Sequence, residues 1–169
     1  EIVDIRGNLN TRMKKFEESD WDGMMLAYAG VKRLGWEHRI AQVIPTSLML
    51  PAVGQGALGI EIREDDKETA KYVAALNDDE TAAAACAERA LLRTLEGGCQ
   101  IPIGAYARRI GTRLTLDAMV ASIDGTVRLD TRGTTSDLSR AADLGVRLAE
   151  KLLANGAREI LDDIRGAEV

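Results

Sequence analysis

Hydrophobic and polar positions alternate or recur with different periods along the chain, and the changes of period mark its elements. Residues 2–5 (Ile-Val-Asp-Ile) alternate like a strand, and Arg6-Gly7-Asn8 reads as a turn. Residues 11–18 then predict a short amphipathic helix carrying Arg12, Lys14 and Lys15. Residues 22–27 predict a buried strand, and a brief helix follows across residues 30–35, closed by Gly35. Strand, helix, strand, helix in this order predicts part of an α/β domain. Residues 40–44 and 48–50 read as extended pieces interrupted by Pro45 and Pro51, and residues 51–63 as a turn running into a strand. The glycines at 54, 56 and 59 suit tight turning or a close approach of backbone to ligand.

The pattern then becomes helical over residues 66–76, and again over the Ala-rich stretch 80–96, with Asp78 or Asp79 as its cap. Period-two stretches at 101–108, 113–122 and 126–133 follow, joined by Ile110-Gly111-Thr112 and by Asp124-Gly125. Asp-Gly between apolar alternations is a hairpin signal. Helices over 137–154 and 157–164, separated by Gly156, close the chain. Residues 77–169 therefore predict a small α+β domain with a three-stranded antiparallel sheet, its boundary lying in the polar cluster at 77–80.

Composition narrows the classes. The 169 residues are 46% hydrophobic and 29% charged, enough for one good core or two small ones. Aromatics are only 4%, so aliphatic side chains and alanines must fill the interior. A net charge of −5 argues against nonspecific nucleic-acid binding, which rests on a basic surface. No apolar run approaches a membrane span, and a reducing, cytoplasmic setting is expected. Two cysteines and one histidine make neither a disulfide framework nor a four-ligand zinc site. Arg outnumbers Lys 16 to 6, which fits either acidic ligands or genomic base composition.

A few places invite a chemical reading. Cys99 stands between Gly97-Gly98 and Gln100-Ile101-Pro102, where flanking glycines leave a thiol reachable. On the residues alone, a reactive thiol and an inert turn cysteine both remain open. Cys86, within an alanine run, reads as a small buried hydrophobe. Arg6, Arg12 and Arg33 occupy turn or strand-to-helix positions, where guanidinium groups could hold a polyanion or simply face solvent. Arg140, Arg147 and Arg158 read as solvated faces paired with acids. His38, the sole imidazole, lies in a polar loop, and no local pattern pairs it with Cys99. Gly54-x-Gly56-x-x-Gly59 has dinucleotide-motif spacing but leads into a predicted strand rather than a helix, so that reading is rejected.

Four ordered stretches carry a resemblance: residues 6–12 (Arg-Gly-Asn-Leu-Asn-Thr-Arg), residues 29–35 (Ala-Gly-Val-Lys-Arg-Leu-Gly), residues 50–61 from Leu50 through Gly54-Gln55-Gly56 to Glu61, and Ala87-Glu88-Arg89-Ala90 leading to residues 95–104 around Cys99. Together the sequence resembles the porphobilinogen deaminase (hydroxymethylbilane synthase) family of tetrapyrrole biosynthesis over nearly its whole length. The resemblance implies a monomeric three-domain enzyme with two α/β domains, paired as in periplasmic binding proteins, and a small α+β third domain. Residues 1–50 would be the later half of domain two, 51–76 a return segment of domain one, and 77–169 domain three.

The resemblance further implies condensation of four porphobilinogen molecules into hydroxymethylbilane, with ammonia released at each step. A dipyrromethane cofactor would be thioether-linked to Cys99, with Arg6, Arg12 and Arg33 binding the acetate and propionate groups of the pyrroles. Gln55 and its glycines would form an interdomain crossover. The family's catalytic aspartate has no counterpart here, so the chain is expected to be a C-terminal portion that needs an N-terminal half as partner and is inactive alone. The competing expectation is a noncatalytic anion-binding module in which Cys99 is incidental. A cysteine hydrolase would require a distant base, for which only His38 is available.

Overall fold

The computed structural model describes residues 1–96 and 101–166, and these form two compact units, Glu1–Ile44 and Pro45–Val169. In the first unit, α1 (Leu9–Glu17) starts at Asn8, whose Oδ1 accepts the Thr11 N–H at 2.9 Å. A second helix, α2 (Tyr28–Arg33), and a 3-10 turn at Glu37–Arg39 complete its regular structure. Leu9 packs directly against Gly30: a Cβ at Gly30 would lie 2.9 Å from Leu9 Cδ1. Met13 and Val31 are the buried side chains of this small unit.

In the second unit, α3 (Lys67–Ala74) is capped by Asp66 and α4 (Asp79–Thr94) by Asp78, each aspartate accepting the N–H of the threonine three residues on. The sheet then forms from β1 (Ile103–Ile110), β2 (Arg113–Ala121) and β3 (Arg128–Thr135), antiparallel in the order β1-β2-β3. The register pairs Ala105 with Ala118 and Ala118 with Thr131, and Ala107 with Leu116 and Leu116 with Gly133. These rows point to the same face. Their small side chains let two helices approach closely, α4 and α5 (Ala141–Leu152), the latter entered by a 3-10 turn at Leu138–Arg140. A π turn at Leu153–Ala157, broken by Gly156 at φ 104°, leads into α6 (Arg158–Gly166).

The core is the aliphatic filling between this sheet face and the helices. Leu91, Leu95, Leu114, Leu116, Leu144 and Leu152 are buried almost completely. On α5 the buried positions 141, 144, 145, 148, 149 and 152 trace one apolar stripe. Gly145 is the closest approach of α4 and α5: a Cβ there would sit 2.1 Å from the Ala87 carbonyl oxygen.

The free edge of β1 is covered from within the chain. The Ala105 N–H donates to the Pro51 carbonyl at 3.0 Å, and the Ala107 N–H donates to Glu88 Oε1 at 2.7 Å. An edge strand with unpaired amides invites pairing with another chain, and these two bonds remove that opportunity.

The predicted three-stranded α+β domain forms, with its helices and hairpins within a few residues of expectation. The strands expected at residues 2–5, 22–27, 40–44, 48–50 and within 51–63 do not. A strand exists only against a neighbour, and among the described residues these segments have none. They run as turns and irregular chain and leave apolar side chains exposed, including Ile2, Val43, Leu48, Leu58 and Ile60.

Candidate functional site

In the first unit the turn before α1 is held by basic side chains of the helix itself. The Arg12 Nε–H donates to the Gly7 carbonyl at 2.8 Å, and Lys15 Nζ donates to the Arg6 carbonyl at 3.2 Å. Gly7 has φ 128°, and a Cβ there would press on the Thr11 side chain at 2.9 Å, so this tight entry requires glycine. The single Nε bond orients the Arg12 guanidinium while its terminal nitrogens have no protein partner among the described residues.

The Leu9–Gly30 contact relates the two helices. Arg12 lies three residues after Leu9 on α1, and Arg33 three residues after Gly30 on α2. Residues three apart share a helix face. Arg12 therefore lies on the same side of α1 as Leu9, Arg33 is exposed at the last position of α2, and Arg6 lies in the turn at the start of α1. Among the described residues none of the three forms an ion pair, whereas Arg39 pairs with Glu17 and stacks on Trp36. The amino end of α1 adds the positive end of a helix dipole. Cationic groups without carboxylate partners beside a helix N-terminus are suited to hold organic anions bearing several carboxylates. That is the chemistry a dipyrromethane with acetate and propionate arms would present. His38, in the Glu37–Arg39 turn, is exposed.

In the second unit the glycine-bearing segment is pinned by a buried acid. Gly54 and Gly56 adopt φ 75° and 84°, the left-handed region that glycine tolerates. The Gly54 N–H donates to Glu88 Oε2 at 2.8 Å, while the other oxygen of the same carboxylate takes Ala107. Glu88 is only 5% exposed. Burial pushes its carboxyl above the ordinary value, and the amides of Ala107 and Gly54 partly offset that push. One side chain thus joins the 51–56 segment, α4 and β1. Sequence reasoning assigned Glu88 no role, because its partners lie 34 and 19 positions away.

Cys99 lies outside the described residues. Of the described residues on either side of it, Leu95 is buried and Ile101 packs against the core. Arg165 of α6 donates to the carbonyls of Leu95 and Glu96, just past the end of α4, at 3.2 and 3.0 Å. Cys86, expected to be buried, is exposed. It belongs to the outward stripe 82, 86, 89 and 93, whereas 83, 87, 90 and 91 face the core. Among the described residues no group of three or more His, Cys, Asp or Glu could hold a metal ion, and no helix is long and apolar enough to cross a membrane.

Comparison with known proteins supplies the context for these two units. A family model described as porphobilinogen deaminase, dipyromethane cofactor binding domain, matches residues 1–71, and one described as porphobilinogen deaminase, C-terminal domain, matches residues 82–154. The first contains Arg6, Arg12 and Arg33, and the second spans position 99. The chain is 56% identical over 168 residues to a porphobilinogen deaminase of Chlorobium limicola, covering 98% of this chain and 54% of the relative. It is 56% identical to that of Chlorobaculum parvum, with the same coverages, and 49% identical to that of Desulforamulus reducens, covering 97% and 53%. The chain spans about half the length of the curated relatives it matches. With two successive family domains matched in order and identities near one residue in two across nearly its whole length, the chain belongs to the porphobilinogen deaminase family.

Proposed function

We propose that this chain is the C-terminal portion of a transferase that condenses four porphobilinogen molecules into hydroxymethylbilane and releases ammonia at each addition. The dipyrromethane, when bound, supplies the nucleophilic pyrrole end from which the chain grows. Cys99 holds it through a thioether, and Arg6, Arg12 and Arg33 neutralise its carboxylates and those of the lengthening product. A soft thiolate suits that bond, since it captures the electrophilic carbon left when ammonia departs. The Arg12 guanidinium, steered by its bond to the Gly7 carbonyl, offers its two outer nitrogens to a carboxylate in bidentate fashion.

The remaining half of the protein completes the activity. The family's catalytic aspartate has no counterpart among these residues, and this chain by itself gives no turnover. In the whole protein, residues 1–50 belong to the second of two α/β domains paired like those of periplasmic binding proteins. Residues 51–76 return to the first, and residues 77–169 form the third, in a monomer acting in a cytoplasmic setting. The exposed apolar side chains of Ile2, Val43, Leu48 and Leu58 support this, since surfaces of that kind are covered in a finished fold. The noncatalytic anion-binding alternative is not favoured, because both matched domains belong to one enzyme family.

One observation carries this reading. The segment matched to the cofactor-binding domain presents three arginines, at the turn before α1, on α1 and at the end of α2, without carboxylate partners among the described residues. Intact mass of the whole protein tests it: a covalent dipyrromethane present in the wild type and lost in Cys99→Ser is expected. An unmodified Cys99 in a protein that still makes hydroxymethylbilane would refute it.

A further inference from the structure

A second cluster of arginines lies in the other unit, far along the chain from those of the proposed active site. Where β2 begins and β3 ends, the chain forms a polar cleft of about 280 Å³ lined by Arg113, Arg140 and Arg147. Thr134, Thr135 and Ser136 form another of its walls, and Asp143 is its only carboxylate. The register explains the convergence. Leu114 pairs with Thr135, which sets Arg113 beside the end of β3, and the 3-10 turn at Leu138–Arg140 then brings Arg140 and the first turns of α5 back over the same end of the sheet.

The charges do not cancel. Arg140 Nε meets Asp143 Oδ2 at 3.2 Å, but both side chains are more than 60% exposed, so solvent screens that pair and little is lost on opening it. Arg147 makes one long bond, 3.5 Å, to the Thr134 carbonyl. Arg113 has no ion-pair partner among the described residues. Three guanidinium groups against one carboxylate leave two net positive charges; Arg140 is solvated and paired with an acid as expected, whereas Arg147 is exposed with no acid partner among the described residues. The volume lies just under the usual range for drug-sized ligands and leaves ample room for a small ion.

We propose that this cleft binds a tetrahedral dianion of the phosphate class, either free inorganic phosphate or the phosphoryl group of a phosphomonoester. The guanidinium donors come from the start of β2, the turn before α5 and α5 itself. Guanidinium forks pair bidentately with phosphate oxygens, and groups converging from three elements can engage more than two of them. The site is independent of the arginines in the first unit and of porphobilinogen chemistry.

Titration calorimetry on the full-length protein tests the proposal, with inorganic phosphate, phosphoserine and succinate as separate probes. Expected are one saturable site for phosphate or phosphoserine, a loss of about tenfold in affinity in Arg113→Gln and in Arg147→Gln, and no change in Arg12→Gln or Arg33→Gln. Binding of both phosphorus probes would identify the free ion as sufficient, and binding of phosphoserine alone would assign the site to phosphomonoesters. Amide resonances of Thr134, Thr135 and Ser136 should shift with the same midpoint, a readout that does not depend on any substitution. Absence of saturable binding, equal affinity for succinate, or binding insensitive to both cleft substitutions would overturn it.

Discussion

Glu88 accepts the amide N–H of Ala107 at 2.7 Å from a position almost sealed from solvent, and its second oxygen accepts Gly54. Two backbone donors at the sheet edge and the glycine turn therefore depend on one side chain. Glu88→Gln keeps one acceptor and turns an NH2 group toward the other amide, at an expected cost of about 2 kcal/mol in urea unfolding at neutral pH. Glu88→Ala leaves both amides unpaired and costs about 4 kcal/mol. The pH dependence has a definite sign. Burial raises the Glu88 carboxyl above its ordinary 4.5, so the folded state binds the proton more tightly than the unfolded state. The associated stability is fully present below 4.5 and is lost as pH rises through the folded value. The gap between wild type and Glu88→Gln should thus be wider at pH 4 than at neutrality, and a gap that narrows on acidification would contradict this account.

Gly145 marks the tightest helix crossing. A methyl group there would meet the Ala87 carbonyl at 2.1 Å and the Leu91 nitrogen at 2.9 Å, both backbone atoms that cannot swing aside. Gly145→Ala should destabilise by about 3 kcal/mol through separation of α4 and α5. Gly59→Ala, where an added Cβ meets nothing within 4 Å, should change stability by no more than about 0.5 kcal/mol. Thermal melts of the two variants side by side measure the contrast.

What could be read from the residues divides along physical lines. Caps and hairpins are local, so the Asp78 cap and the turns at Gly111 and Gly125 were legible, and the α+β unit follows from them. The apolar runs at 22–27 and 40–44 satisfy strand propensity equally well, yet pairing is a non-local property and these runs find no partner among the described residues. Cys86 was misjudged because alanine carries too little hydrophobic contrast to show which side of α4 faces inward. The bridging by Glu88 joins residues 34 and 19 positions away, and the convergence of Arg113, Arg140 and Arg147 depends on sheet register. Neither leaves a mark in any local window. Arg6, Arg12 and Arg33 were legible as candidates, but the Leu9–Gly30 contact that relates α1 to α2 was not.

On the outer face of the sheet, Asp117 sits between Arg108 and Arg132, at 2.6 Å from each. Burial alone would push its carboxyl up, but hydrogen bonds and charge from Arg132 and Arg108 outweigh burial and hold it below its ordinary 3.8. A depressed carboxyl contributes stability above the unfolded value and loses it as pH falls through the folded one. Asp117→Asn should cost about 1 kcal/mol at neutral pH, a modest figure because Arg132 is largely exposed. That difference should persist down to 3.8 and fade only as the pH falls further. Denaturant midpoints across an acid series would show this, and a difference unchanged well below 3.8 would indicate packing rather than charge.

The arginines of the first unit should separate activity from stability. Arg33 is exposed at the last position of α2 and has no ion-pair partner among the described residues, so Arg33→Ala should shift the folding free energy by no more than about 0.5 kcal/mol. In the whole protein it should nevertheless weaken carboxylate binding by about 1.5–3 kcal/mol, seen as slower turnover of porphobilinogen and stalled partial products in intact-mass spectra. Arg12 differs because its Nε also ties down the Gly7 carbonyl. Arg12→Ala should therefore lose about 1 kcal/mol of stability in addition to activity, and Arg12→Lys should recover charge without the fixed fork geometry. Arg132→Ala serves as the opposite case, costing stability at the sheet face while turnover stays at the wild-type level. Wild-type turnover in Arg33→Ala together with Arg12→Ala would show that these guanidinium groups face solvent and that the product's acidic arms are held elsewhere.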